Sequence, residues 1–270
     1  MDQIISTFGI SGTAILLLML AAFVAGFVDA IAGGGGLINL PSLMLAGLDP
    51  VQAVATNKLL GSLGVASATA SYAKAGLIDW RAARFQIICS FAGAGLGAIA
   101  AQHVPIGALR TWVPLAMIGV AIFLSFSPKL TDAESHQRIS PLAFALTFAL
   151  AIGFYDGIFG PGGGTFYFIA LVMLSGQGVL RAAANTKLLN LASNLGAFAL
   201  FAFSGKIFWL TGLAMGIFAM FGAQLGARTA LVRGASVIKP MVVIVSVIMA
   251  IRLILDKTNP IGAWLYGIGS

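Results

Sequence analysis

The chain has 270 residues, 59% of them hydrophobic and only 9% charged, with a mean hydropathy of +1.01 and a formal charge of +7. A soluble domain carries about 25% charged residues, so a water-exposed globule is excluded. The basic residues are scattered singly and form no stripe, which argues against a nucleic-acid surface, and a single cysteine, Cys89, excludes an internal disulfide or a cysteine metal cluster.

In chain order, the first apolar run covers residues 13–31. Asp2 precedes it and no Lys or Arg does, so the basic start of a cleavable signal peptide is missing and the run is expected to stay in the mature protein. Further apolar segments follow at 36–47, 51–74, 83–101 and 107–127. After a polar linker come 141–159, 164–175, 179–204, 209–230 and 237–255. Most approach the ~20 residues that a helix needs to cross a bilayer. The segments 36–47 and 164–175 are short: twelve residues rise only ~18 Å, which suits a half-helix or a re-entrant segment. His103 and His136 fall at loop positions and make no metal box.

The sequence repeats itself. Gly26-Phe27-Val28-Asp29-Ala30-Ile31-Ala32-Gly33-Gly34-Gly35-Gly36 returns as Gly153-Phe154-Tyr155-Asp156-Gly157-Ile158-Phe159-Gly160-Pro161-Gly162-Gly163, with seven of eleven positions identical. Ala55-Thr56-Asn57-Lys58-Leu59-Leu60 returns as Ala184-Asn185-Thr186-Lys187-Leu188-Leu189, Gly76 and Trp80 as Gly205 and Trp209, and Gly93-Ala94-Gly95-Leu96-Gly97-Ala98 as Gly222-Ala223-Gln224-Leu225-Gly226-Ala227. The offset is 127 residues in the first block and 129 in the others, so one two-residue insertion is expected. The order of the blocks defines a first transmembrane repeat over 1–127, a linker over 128–140 and a second repeat over 141–270.

Basic residues orient the segments, because cytoplasmic loops carry the excess of Lys and Arg. If all ten segments cross, Lys74, Arg81, Arg84, Lys129, Arg138, Arg181, Arg228, Arg233 and Lys239 share one side, against Arg110, Lys206, Arg252 and Lys257 on the other. Both termini are then periplasmic and the linker cytoplasmic; if the segments 36–47 and 164–175 do not cross, the count becomes eight against five with both termini inside, a less clean division. Five crossings per repeat make the repeats inverted, an arrangement common among secondary transporters. The expected fold is therefore all-α and polytopic, with two inverted repeats of about five segments and glycine-broken helices.

Three duplicated features carry candidate chemistry. The glycine runs Gly33, Gly34, Gly35, Gly36 and Gly160-Pro161-Gly162-Gly163-Gly164 end one helix and open another. Each is either a tight turn that permits close packing or a break whose free N–H groups and helix dipole bind an anion. Lys58 and Lys187, within Thr56-Asn57-Lys58 and Asn185-Thr186-Lys187, lie well inside apolar helices, where a lysine costs ~2.5 to 3.5 kcal/mol unless compensated. They either snorkel to the interface or carry charge to a site. Lys187, Asn190 and Asn194 share one helical face, whereas the matching positions of the first repeat are Lys58, Gly61 and Val65, so the half-sites differ. Asp29 and Asp156 precede the two breaks as interfacial residues, as ion-pair partners for the lysines, or as carriers of a coupling proton or sodium ion. Gly93, Gly95, Gly97, Gly222 and Gly226 read as packing residues.

With these blocks in order, the sequence resembles the TauE/SafE family of bacterial sulfite exporters over about residues 13–255. The resemblance implies a multi-pass inner-membrane transporter of sulfite, sulfoacetate or a related organosulfur or organic anion. An anion channel or uptake carrier is the alternative. No cofactor is implied, and the partners are the anion, a coupling proton or sodium ion, the lipid bilayer and, in an oligomer, further copies of the chain. No nucleophile with a base lies in the polar core, which argues against an intramembrane enzyme.

Overall fold

A computed structural model describes residues 12–104 and 134–234, together with 236 and 240. The expected segment 107–127, all of 237–255 but residue 240, and linker residues 128–133 lie outside them. The described part is all-helical: α1 (Gly12–Ala32), α2 (Gly35–Leu45), α3 (Pro50–Lys74), α4 (Trp80–His103), α5 (Pro141–Ile158), α6 (Gly163–Met173), α7 (Val179–Phe201) and α8 (Trp209–Arg233). Each lies within a few residues of its expected segment. His103 closes α4 instead of sitting in a loop, with its Nδ1 2.8 Å from the Ile99 carbonyl oxygen.

Helices α1, α4, α5 and α8 are long and apolar enough to cross a membrane. They present large hydrophobic side chains outward, among them Leu16, Leu20, Ile88, Leu146, Leu213 and Phe221, which only a lipid solvent would tolerate in such number. Helices α3 and α7 are buried along most of their length and hold the polar residues Asn57, Lys58, Asn185, Lys187, Asn190 and Asn194. Apolar helices thus shield two polar central ones.

Glycines bring the helices together in matched pairs, and they lie where they do because a side chain would not fit. A Cβ on Gly222 or Gly226 of α8 would stand 2.0 or 2.2 Å from the carbonyl oxygens of Phe23 and Phe27 on α1. On α4, a Cβ at Gly93 or Gly97 would stand 2.2 Å from the carbonyl oxygens of Leu150 and Phe154 on α5. Without hydrophobic drive between helices in lipid, such backbone approach is what makes association favourable. Gly95 is different: a Cβ there would meet the Leu200 side chain at 3.5 Å and the Gly196 carbonyl oxygen at 3.7 Å, both ordinary contact distances.

The register of these contacts gives the helix directions. Phe23 meets Gly222 and Phe27 meets Gly226, so α1 and α8 run parallel, as α3 and α8 do through Leu59 to Gly212 and Leu63 to Gly216. By the same reading α4 runs parallel to α5 (Gly93 to Leu150, Gly97 to Phe154) and to α7 (Phe91 to Gly196, Gly95 to Leu200). Val54, early in α3, shares one core with Ala197 and Phe201 at the end of α7, and Ala68 and Tyr72, late in α3, share another with Val179 and Ala183 at its start. The equivalent helices α3 and α7 therefore run in opposite directions.

The repeat offset is not a single insertion. It is 127 at Asp29 and Asp156, 128 at the starts of α2 and α6, and 129 from the starts of α3 and α7 onward. One residue is added inside the second glycine break and another in the turn between α6 and α7. The described end of the linker runs beside that turn, with Ser135 N–H donating to Gly176 O at 2.8 Å and Arg138 N–H to Leu174 O at 2.9 Å.

Candidate functional site

Asp49 starts α3 with a reciprocal cap: its Oδ1 accepts the Gln52 N–H, and Gln52 Oε1 accepts the Asp49 N–H. Pro50 follows at the first helical position, where its missing N–H costs nothing. The start of α3 is thereby fixed, and Lys58 is carried ~12 Å along the axis into the centre of the bundle, fully buried. Lys187 occupies the same position on α7 and is equally buried.

Each lysine pairs with the aspartate of the other repeat. Lys58 Nζ is 2.8 Å from Asp156 Oδ2, and Lys187 Nζ is 3.1 Å from Asp29 Oδ2. Of the readings open for these residues, neither lysine snorkels and both carboxylates are ion-pair partners. Compensation at such depth is what an ammonium in lipid requires.

The two pairs are not equivalent. Asp156 Oδ2 also accepts a hydrogen bond from Ser193 Oγ at 2.7 Å, and the residue matching Ser193 in the first repeat is Gly64, which packs on Ala219. Asp29 instead accepts the Gly35 N–H at 2.9 Å through Oδ1, at the first turn of α2. Lys187 donates to the main-chain oxygen of Asp29 as well as to its carboxylate. Lys58 makes the 2.8 Å ion pair without a hydrogen bond of ordinary angle. The Asp29 side chain keeps 13% of its surface accessible, against 3% for Asp156.

Both glycine breaks use left-handed backbone. Gly34 (φ 96°) and Gly162 (φ 83°) immediately precede α2 and α6, a conformation open to glycine and costly to other residues. Gly34, and not the Gly35 that stands opposite Gly162 in the repeated block, is thus the structural partner of Gly162, because of the one-residue offset between the breaks. Gly35 is required for another reason: a Cβ there would stand 2.8 Å from Asp29 Cβ, as one on Gly163 would stand 2.7 Å from Asp156 Oδ1. The two breaks also touch, since a Cβ on Gly33 would stand 2.9 Å from the Thr165 nitrogen. The N-terminal ends of the two half-helices therefore meet at the centre of the molecule.

One cavity opens between them. Gly34, Gly35, Gly36, Asn57, Gly162, Gly164 and Asn190 line it, as do Asp29 and Asp156. Gly33, Gly163, Thr56, Asn185, Thr186, Lys58 and Lys187 do not. Thr56 Oγ1 accepts the Phe208 N–H at 3.1 Å, Asn185 Nδ2 donates to Gln177 Oε1 at 2.9 Å, and the buried Thr186 hydroxyl has no partner. Asn39, Gly160 and Asn194 also line the cavity. Asn194 holds its neighbour, donating from Nδ2 to Asn190 Oδ1 at 3.0 Å. It fits because Gly61, the counterpart of Asn190, has no side chain: a Cβ there would stand 3.0 Å from Asn194 Oδ1. Asn39 and Ser193 were missed by sequence reasoning; for Asn39 the signal was available, as the one amide in a short apolar helix.

Buried charges in compensating pairs, two half-helices and a polar cavity between the repeats define a polytopic membrane transporter, and comparison with known proteins agrees. The chain is 47% identical over 248 residues to "Probable membrane transporter protein ORF9" of Sinorhizobium sp, covering 92% of this chain and 95% of that protein. It is 39% identical over 257 residues to "Probable membrane transporter protein YfcA" of Escherichia coli K12, covering 95% and 96%, and 39% identical over 241 residues to a probable membrane transporter protein of Haemophilus influenzae, covering 89% and 94%. A family model described as "Sulfite exporter TauE/SafE" matches residues 18–253, and the chain belongs to that family. No solved structure matches it.

Proposed function

We propose that this TauE/SafE transporter is a secondary carrier that exports a small anion, such as sulfite, sulfoacetate or another organosulfur or organic anion, across the bacterial inner membrane. In this reading the ten segments form two inverted sets of five, both termini are periplasmic and the linker is cytoplasmic. The observation that carries the proposal is the meeting of the glycine-started ends of α2 and α6 in one cavity. The positive ends of two helix dipoles converge there, the first N–H of α2 being held by Asp29, and the side-chain amides of Asn57 and Asn190 line the same space. The two lysines and two aspartates sum to no net charge, so recognition rests first on helix ends and amides. Small size follows from a narrow cavity, nine of whose nineteen lining residues are glycines.

The test is a thermal-shift screen of purified protein against sulfite, sulfate, thiosulfate, sulfoacetate, taurine and simple carboxylates. A ligand that binds only the folded state raises the unfolding temperature with concentration. A saturable rise with one of the small anions, and none with zwitterionic taurine, is the expected result. No rise with any anion contradicts the proposal.

A further inference from the structure

We infer that Asp29 takes up a proton when an anion binds, so that Asp29 couples the two, while Asp156 stays ionised in a fixed pair with Lys58. The inference rests on the anion reading above and adds to it the coupling ion and its acceptor; proton and anion then move together, so export runs down the anion's own gradient and is not driven by an inward proton gradient. As it stands, the carboxylate of Asp29 occupies the place of an anion: it holds the first N–H of α2 at 2.9 Å and the Lys187 ammonium at 3.1 Å. These are the two positive groups of its half-site, and a second anion would meet a carboxylate there. Adding a proton from water to an Asp29 carboxylate oxygen makes a neutral acid, with no other bond made or broken. The α2 end and Lys187 are then released to hold the arriving anion.

Asp29 and not Asp156 fits this role because of what each lysine keeps. When Asp29 is protonated, Lys187 still has the Asp29 main-chain oxygen as an acceptor. Lys58 has no hydrogen-bond acceptor besides its contact with Asp156, so neutralising Asp156 would strand a fully buried ammonium, a costly state. Ser193 further holds Asp156 as the anion by donating to it. The Asp29 side chain is the more accessible of the two carboxylates, and Asn39, which lines the same cavity, has a buried Oδ1 with no partner, an acceptor suited to a proton donor.

Among the described residues, the groups around Asp29 are few. Lys187 faces it from α7, and Tyr72 approaches from α3 with its hydroxyl donating to Ala30 O at 2.9 Å. Asp29 is the one titratable side chain of α1, and α2 has none. Tyr167 of α6 is engaged with Ser90, and the arginines of α8, Arg228 and Arg233, are exposed. Asp156 of α5, paired with Lys58 of α3, borders the same cavity.

The test is titration calorimetry of sulfoacetate, and separately of sulfate, into the purified full chain in two buffers of different ionisation enthalpy. Neither anion changes charge appreciably between about pH 5.5 and 8, so heat that scales with the buffer counts protons taken up by the protein. About one proton per anion is expected for the wild type and close to none for Asp29→Asn, whose affinity should also lose its pH dependence. Binding with no proton uptake in the wild type overturns the coupling and leaves the anion reading standing; uptake that survives in Asp29→Asn also overturns it. No binding of either anion at any pH overturns both. Should Asp29→Asn fail to accumulate, infrared difference spectra of wild type and Asp29→Glu decide: anion addition should raise a protonated-carboxyl band that the Glu substitution moves, and an absent or unmoved band contradicts the assignment.

Discussion

Lys58 of the first repeat lies 2.8 Å from Asp156 of the second, and both side chains are almost wholly buried. Removing one partner leaves an uncompensated charge inside the bundle, a change that costs about 3–5 kcal/mol in buried pairs, whereas removing both is close to neutral. Lys58→Met should therefore destabilise strongly, and Lys58→Met with Asp156→Leu should recover most of the loss. Thermal unfolding in detergent checks this, and additive losses in the double variant would deny the pairing.

The second lysine has a different part. Lys187 keeps a main-chain acceptor as well as Asp29, so Lys187→Met should cost less stability than Lys58→Met. Because Lys187 is the charge released toward the anion, its loss should weaken anion binding at least tenfold, about 1.4 kcal/mol. The sequence left both lysines to snorkel or to carry charge to a site; the structure buries both in ion pairs and sets neither on the cavity wall. Calorimetry on folded Lys187→Met decides, and unchanged affinity would confine the lysine to a structural role.

Gly34 and Gly162 need positive φ, which costs an ordinary residue about 1–2 kcal/mol and a β-branched one more. Valine at either position should misplace the start of its half-helix, so transport is lost while the protein still reaches the membrane. Transport retained by both variants would reduce the breaks to turns. At Gly222, by contrast, a Cβ meets a carbonyl oxygen at 2.0 Å, so Gly222→Leu should prevent folding outright, seen as loss of the monodisperse peak on size-exclusion chromatography.

The eight described helices and the polar residues of the core were legible in the sequence because period, length and duplication are local signals. Which aspartate meets which lysine was not. Asp29 and Lys58 lie in one repeat, yet each finds its partner in the other, because α1 packs on α8 and α4 on α5 through glycine faces that no spacing rule connects. The pairing of Gly34 with Gly162 was likewise hidden: the extra residue sits inside the glycine run, where one glycine cannot be told from the next. Ser193 escaped notice since a serine inside a helix usually bonds its own backbone, and this one does so to Asn190 O while also reaching Asp156.

The orientation has its own check. With Cys89, the single native cysteine, replaced by serine, a cysteine at Ser135 should resist an impermeant reagent in intact cells and react once the inner membrane is opened. Labelling from outside would turn the topology over.

The central claim is that the cavity between the half-helices carries a small anion across the membrane, and flux is its most direct measure. Purified protein in liposomes loaded with isotopically labelled sulfite or sulfoacetate should give saturable efflux above that of protein-free liposomes. Efflux should quicken when a proton gradient drives protons along with the anion and vanish in Gly162→Val. Efflux no faster than from protein-free liposomes, for both anions and with either direction of the gradient, would contradict the account.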